Sequence, residues 1–358
     1  MSYETSSPAI DEAIALDNQG NHDEAINVLS RATMEGDLLA KTRLGKRLLV
    51  GDRSPYLPRE GATFILEAAQ ENVPEAVTMT AVFQGIGLYQ SKNWNDALKT
   101  LSHAAGLGSM TAREQLVLMA GEGEPGKDAS LLANDDPAYW RQYLQNINLG
   151  LWLSAPMGTV VNEDPLIKSF PELISPPVCN WLIRLSSERL KPALVYDAGK
   201  RTNYRSETRN NSIAEFNLVE NEMLHFLLQE KMSAACGISM QQFEGTAILN
   251  YKPGEQISDH FDFVDPKMTN YEQEIRDNGQ RVITFLIYLN QDYTGGETVF
   301  PELGINHKGK TGEGMFFSNA LPDGSSDTRT LHAGAPTTQG EKWIVSQFIR
   351  NREVKYIL

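Results

Sequence analysis

The sequence predicts an α+β protein made of two architectures in series: an N-terminal α-solenoid and a C-terminal domain of paired β-sheets. Two periodicities predict it. Small residues recur at helical spacing and at a near-constant interval through residues 11–121, and from Phe243 onward apolar residues alternate along the chain. Length agrees, because 358 residues, 41% of them apolar, are ample for two cores. We place helical repeats at 1–124, a linker with a connecting helix at 125–165, and the sheet domain at 166–358.

The repeat is visible residue by residue. Ala25, Leu29, Ala32, Gly36 and Ala40 step by 4, 3, 4 and 4, and Ala97, Leu101, Ala104, Gly108 and Ala112 repeat those steps. Ala62, Leu66, Ala69 and Val77 form a degenerate middle copy, at periods of 37 and 35 residues. These units resemble tetratricopeptide helix pairs, whose unit is roughly 34 residues. Small residues let two helices approach, leucines fill the groove, and Gly36 and Gly108 sit at turns. Three such units are near the minimum that buries a continuous core. A concave surface for a protein or peptide partner and a packing role stand level as functions. Tyr89 and Trp94 are candidate groove anchors, although aromatics at helical spacing more often serve a core. Residues 121–136, GEGEPGKDASLLANDD, mark the boundary by their Gly and acidic content. Beyond them Tyr139, Trp140, Tyr143, Leu144, Ile147 and Leu151 predict a helix over 137–153, packing one domain against the other.

The sheet domain opens with an entry strand and turn at Ile167–Ile174 and an amphipathic helix over Pro177–Leu190, in which Cys179 is buried. A strand at Ala193–Tyr196 and a long helix over Phe216–Cys236 follow. Within Val282–Leu289, Ile283, Phe285, Ile287 and Leu289 share one face; Thr284, Leu286 and Tyr288 share the other. Lys342, Ile344, Ser346 and Phe348 share a face of the last strand. A double-stranded β-helix, a squashed jelly-roll or cupin-like barrel, needs such alternation with one face toward an internal cavity. Gly295-Gly296 supply a tight turn between strands.

Chemistry concentrates between Asn250 and Trp343. His260 and Asp262 stand at i and i+2, on one face of a strand; His332 follows 70 residues after Asp262, and Lys342 ten after that. Two imidazoles and one carboxylate on a rigid sheet are the ligand set of a non-haem Fe(II) centre with open positions. Lys342 adds a fixed cation suited to an acidic co-substrate. A lone H-x-D is weak, but here it belongs to an ordered series. Glu244–Tyr251, His260-Phe261-Asp262-Phe263, RVITFLIYLN from Arg281, GGETVFP from Gly295, GMFFSN from Gly314 and Leu331-His332-Ala333-Gly334 precede Lys342-Trp343. Over roughly the last 190 residues, the size of a single domain, this series resembles the 2-oxoglutarate- and Fe(II)-dependent dioxygenases, in particular their prolyl 4-hydroxylase-like branch.

The resemblance implies Fe(II) on His260, Asp262 and His332 as the catalytic ligands, and 2-oxoglutarate with its far carboxylate on Lys342. Tyr251, Thr284 and Tyr288 would help hold that co-substrate, and Arg205 would lie on a loop near the substrate. Dioxygen is the other reactant, ascorbate an optional further cofactor, and succinate and CO2 are the expected products. Hydroxylation of a peptidyl prolyl residue is the implied reaction. Because Asp262 is a carboxylate and not Gly or Ala, no vacancy is left for chloride, which favours hydroxylation over halogenation. Ile257, Asp259 and Ser346-Gln347-Phe348 depart from the branch's common pattern at positions that border the substrate entrance.

Composition bounds the alternatives. A net charge of −14 argues against a phosphate-tracking nucleic-acid binder. The first residues, MSYETSSPAIDEAIALD, have neither a basic nor an apolar signal segment, and the apolar run at Leu149–Val161 is broken by Pro156 and Gly158. Two distant cysteines, Cys179 and Cys236, read as reduced thiols, so a cytoplasmic protein without a membrane segment is expected. Hydroxylation of a free amino acid or small metabolite is the competing enzyme class, and a repeat scaffold with a dead oxygenase domain is the non-enzyme one.

Overall fold

The structure, a computed structural model, describes residues 6–197, 202–204, 208–265 and 271–354. The chain divides into two compact units. The first runs to Gly150 and includes Asn217–Leu228; the second holds Leu151–Phe216 and the chain from Gln229.

In the first unit, helices α1 (Pro8–Asn18), α2 (His22–Met34), α3 (Leu38–Val50), α4 (Pro58–Gln70), α5 (Pro74–Ile86), α6 (Trp94–Gly106) and α7 (Met110–Ala120) follow one another through short turns. Their ends are written locally. Proline opens α1, α4 and α5; the side chains of Asp37, Asn93 and Ser109 accept hydrogen bonds from first-turn N–H groups of α3, α6 and α7. Gly51, Gly87 and Gly121 close α3, α5 and α7 in the left-handed conformation, where a side chain would be strained.

Ala25, Leu29, Ala40, Ala97, Leu101, Ala104 and Ala112 are all buried, as the repeat requires. In the middle copy Ala62 and Val77 are buried as well, while Ile65 and Ala68 are fully buried and Leu66 and Ala69 only half-buried. Helices α3 and α4 cross closely here. A β-carbon on Gly61 would lie 2.5 Å from the carbonyl oxygen of Gly45 and from the amide of Leu49, so the two backbones touch. Gly61→Ala is therefore expected to destabilise this unit by about 1–3 kcal/mol, as overpacking does, read as a lower midpoint in its chemical denaturation.

The predicted connecting helix is shorter than expected. Helix α8 (Pro137–Tyr143) passes into a 3-10 turn at Leu144–Asn146, and a short α9 (Leu149–Trp152) follows. Trp140 is fully buried; its carbonyl accepts from Ser102 at 2.8 Å and its ring lies under Arg113, so α8 packs on α6 and α7. Trp94 is likewise a core residue, with Gly85 beneath its ring, whereas Tyr89 is exposed under Arg59. Gln115 on α7 holds the segment 217–228: its amide donates to Glu222 at 2.8 Å and accepts from the backbone N–H of Leu224 at 3.0 Å. Helix α11 (Met223–Cys236) starts later than Phe216 because the side chain of Asn217 accepts from the amides of Val219 and Glu220 and turns the chain.

Among the described residues, the second unit contains α10 (Pro176–Ser187), α12 (Tyr271–Asn278) and sixteen strands. These are β1 (Thr159–Asn162), β2 (Ile167–Phe170), β3 (Lys191–Pro192), β4 (Val195–Asp197), β5 (Thr202–Tyr204), β6 (Ser212–Glu215), β7 (Ala247–Tyr251) and β8 (Ile257–His260). There follow β9 (Arg281–Tyr288), β10 (Thr294–Gly295), β11 (Thr298–Phe300), β12 (Ile305–His307), β13 (Gly314–Ser318), β14 (His332–Gly334), β15 (Thr337–Gln339) and β16 (Lys342–Arg350). The major sheet has the order β1-β2-β13-β9-β16-β7-β6-β3 and the minor sheet β12-β11-β14-β8, with antiparallel pairing throughout. This is the expected double-stranded β-helix. Leu249, Tyr251, Leu286, Tyr288, Met315, Phe317 and Ile344 of the major sheet meet Phe300 of the minor one in a common core. Phe285, on the other face of β9, packs with Phe170 and Phe316. Among the described residues no helix is long and apolar enough to cross a membrane.

Candidate metal centre

His260 closes β8 and His332 opens β14, and the two are cross-strand partners whose ring centroids lie 4.2 Å apart. Asp262, two residues past His260 and 7% exposed, reaches the same point. The ligand atoms of the three all lie within 4.8 Å of one another, the only such group of three among the described residues. The ring orientations are settled by the backbone. His260 Nδ1 is 2.9 Å from the carbonyl of Ser258, and His332 Nδ1 is 3.0 Å from that of Thr330. A carbonyl only accepts, so each Nδ1 carries the proton and each Nε2 is left to face Asp262, at 3.4 Å and 3.3 Å. Two imidazole lone pairs converging on one carboxylate fit a divalent metal, with the backbone carbonyls as the outer partners that metal-binding histidines use.

The electrostatics agree. Burial by itself would raise the pKa of Asp262, yet His332 and His260 hold its carboxyl well below the usual range. Burial would lower that of His260, and the hydrogen bond and charge of Asp262 raise it instead. The main chain beyond Asp262 is fixed by Gln280, whose side chain accepts from Val264 N at 2.7 Å and donates to Val264 O at 2.8 Å. In the free protein the two imidazoles supply the positive charge that holds the buried carboxylate; a divalent metal can take that place.

Lys342 begins β16 opposite Tyr251 and is buried, at 3% exposure. Its Nζ donates to the carbonyl of Gly296 at 2.7 Å and lies 5.3 Å from the Tyr251 ring and 5.8 Å from the Tyr288 ring. Burial pushes its pKa down to about 8, against a small opposing pull from Glu297. An ammonium so placed lacks a full counter-charge, which suits it to an anionic group. Gly296 makes room for it, because a β-carbon there would meet Lys342 Cδ at 3.3 Å.

The predicted co-substrate residues divide. Tyr251 and Tyr288 flank Lys342, but the Tyr288 hydroxyl is engaged with Thr298 at 2.8 Å. Thr284 instead donates to Asp262 Oδ2 at 2.7 Å. Arg205 lies outside the described residues. Spacing gave no sign of three others. Arg209, bridged to Ile257, has a buried Nε with no partner among the described residues, and its charge is felt at both His260 and Tyr251. Asn319, at the end of GMFFSN, donates to Thr284 at 2.9 Å. Arg281, first of RVITFLIYLN, pairs with Glu244 at 2.7 Å and stacks on Phe348.

The other titratable candidates stand apart from the triad. His225 accepts from the amide of Glu222, and His307 pairs with Glu313 at 2.9 Å. Cys179 and Cys236 are free, with thiols pushed by burial up to about 12 and about 11. At Gln347, the position of a departure from the family pattern, a buried amide links Glu244, Thr246 and Gln229.

Comparison with known proteins agrees with this geometry. Residues 246–350 match the family model of the 2OG-Fe(II) oxygenase superfamily. The chain is 29% identical over 212 residues to a probable prolyl 4-hydroxylase 9 of Arabidopsis thaliana, covering 54% of this chain and 72% of the relative. It is 30% identical over 202 residues to the prolyl 4-hydroxylase subunit alpha-1 of Gallus gallus, covering 55% of this chain and 38% of that one. Among solved structures, a viral collagen prolyl hydroxylase from Paramecium bursaria Chlorella virus-1, in complex with 2OG, is 27% identical with a TM-score of 0.40. That match covers 51% of this chain and 94% of the viral one.

Proposed function

From the premise that residues 246–350 are a 2OG-Fe(II) oxygenase domain, we propose that His260, Asp262 and His332 hold Fe(II) and that Lys342 receives the far carboxylate of 2-oxoglutarate. The reaction is hydroxylation of a peptidyl prolyl residue, with 2-oxoglutarate and dioxygen consumed and succinate and CO2 formed. The observation that carries it is the convergence of two backbone-oriented Nε2 atoms on the buried Asp262 carboxylate. Fe(II), once bound, supplies the redox chemistry that couples decarboxylation of 2-oxoglutarate to oxidation of a substrate C–H bond.

The chain's own residues bind, orient and shield. Ser258 and Thr330 fix the imidazole tautomers; Lys342 fixes one end of the co-substrate by a charge-assisted bond in a low-dielectric cavity. Tyr251 and Tyr288 wall that end against water. Arg209 is our candidate for contact with the substrate or the near carboxylate, because its guanidinium charge reaches His260 from the strand edge. The prolyl assignment draws on the relatives' names, prolyl 4-hydroxylases of a plant and a bird. Ascorbate is proposed only as a further cofactor, and the two free thiols support action in the cytoplasm. We read the helical hairpins as tetratricopeptide-like repeats with an assembly role, supported by the commitment of Gln115 to this chain's own residues 222 and 224. Recruitment of a protein substrate would use their other faces.

The test is anaerobic titration of the Fe(II)-loaded protein with 2-oxoglutarate, beside Asp262→Ala. A visible charge-transfer band at roughly 500 nm, the signature of a keto acid chelated on iron, is expected in the parent and absent from the variant. No band in folded, iron-loaded protein overturns the oxygenase chemistry. Succinate release stimulated by proline-containing peptides but not by free proline separates the peptidyl substrate from the free amino acid.

A further inference from the structure

We propose that Thr284 and Asn319 form a one-way hydrogen-bond relay that positions Asp262 for the metal. The inference rests on the assignment of Asp262 as a ligand and goes beyond it, by naming what holds the carboxylate still.

Its direction follows from which atoms can give protons. Asn319 Nδ2 only donates, and it lies 2.9 Å from Thr284 Oγ1. The Thr284 proton is therefore spent on a different acceptor, Asp262 Oδ2 at 2.7 Å. Were the Asn319 amide reversed, its oxygen would take the Thr284 proton and leave the carboxylate without a donor. The relay also has a rigid base. Asn319 is fully buried; its backbone N–H donates to Val282 O at 2.8 Å, and its backbone carbonyl accepts from Asp327 N at 2.9 Å. Thr284 is 1% exposed within β9, paired with Phe317 of β13 and Phe348 of β16.

The relay joins elements that a single strand pattern does not connect. Asp262 follows β8 of the minor sheet; Thr284 and Asn319 belong to the major sheet and its margin. A carboxylate free to spin about its Cβ–Cγ bond would present both oxygens in turn. With Oδ2 held from the major sheet and facing His332 Nε2 at 3.3 Å, Oδ1 stays beside His260 Nε2, at 3.4 Å. Outer hydrogen bonds of this kind are worth about 10–100-fold in metal affinity. Thr284 is therefore a positioning residue for the ligand, and its hydroxyl proton is not available to 2-oxoglutarate.

The experiment measures Mn(II) affinity and the Co(II) ligand-field spectrum of the full chain, with no 2-oxoglutarate present. Thr284→Val, which keeps the shape and removes the hydroxyl, is expected to weaken Mn(II) about 10–100-fold and to alter the Co(II) spectrum. Thr284→Ser should restore both. Asn319→Ala should weaken Mn(II) less, and the double variant should be no weaker than Thr284→Val alone, because both act through one bond. Wild-type affinity and spectrum in folded Thr284→Val overturn the relay, and so does additivity in the double variant. Failure of the unmodified protein to bind either metal overturns the metal site itself, a result distinct from loss of the relay.

Discussion

Lys342→Ala is expected to raise the Kd of the metal-loaded protein for 2-oxoglutarate by roughly a hundredfold, about 3 kcal/mol, the scale for truncating one partner of a buried charge pair. Metal affinity should stay near that of the parent, since Lys342 touches Gly296, Tyr251 and Tyr288 and none of the triad. Calorimetric titration under anaerobic conditions reads both. The pH dependence is the sharper test. Burial brings Lys342 down to about 8 in the free protein. Below that pH it is already the ammonium that a carboxylate needs, and affinity is flat. Above it, binding must first take up a proton, so Kd should climb about tenfold per pH unit. Lys342→Ala should abolish that slope; a slope that survives would place the titrating group elsewhere.

The same shift has a sign for stability. The folded value lies below the unfolded one, so the fold bears the cost of a buried ammonium in full below about pH 8. That cost fades as the pH rises toward the ordinary lysine value. Lys342→Met should accordingly stabilise the free protein near neutrality by about 1–2 kcal/mol, after allowing for the lost bond to Gly296. A gain in stability together with a loss of co-substrate binding is the pattern of a residue kept for function.

Gly309→Ala should be a damaging small substitution in the sheet domain. A β-carbon at Gly309 would overlap the ring of Tyr288, which cannot retreat: it is fully buried and its hydroxyl is tied to Thr298. Overpacking of a rigid ring costs about 3 kcal/mol, or roughly 6–12 °C in the melting of a domain of this size. Because Tyr288 flanks Lys342, 2-oxoglutarate affinity should fall as well. Thermal melts and titrations of Gly309→Ala check the two effects together; unchanged values in both would mean that the loop carrying Gly309 simply moves aside.

What the sequence by itself determined is what depends on spacing along one element. His260 and Asp262 on one side of a strand, Lys342 on the inner face of the last strand and the turns at Gly36 and Gly108 all follow from local geometry. So does the buried pattern of the first and third repeats. The tertiary structure alone decided which partner stands opposite each side chain. Period-two alternation places Thr284 on the cavity face of β9 but is silent on whether it meets a co-substrate or Asp262, which lies in a different sheet. It places Tyr288 there too, without revealing that Thr298 takes its hydroxyl. The close approach of α3 and α4 came from Gly45 and Gly61, and the late start of α11 from a turn closed by Asn217. The lowered lysine pKa arises from burial that no single segment supplies. A repeating pattern fixes the face a residue occupies, whereas register and packing between sheets fix what it touches, and in this protein the touch decides the chemistry.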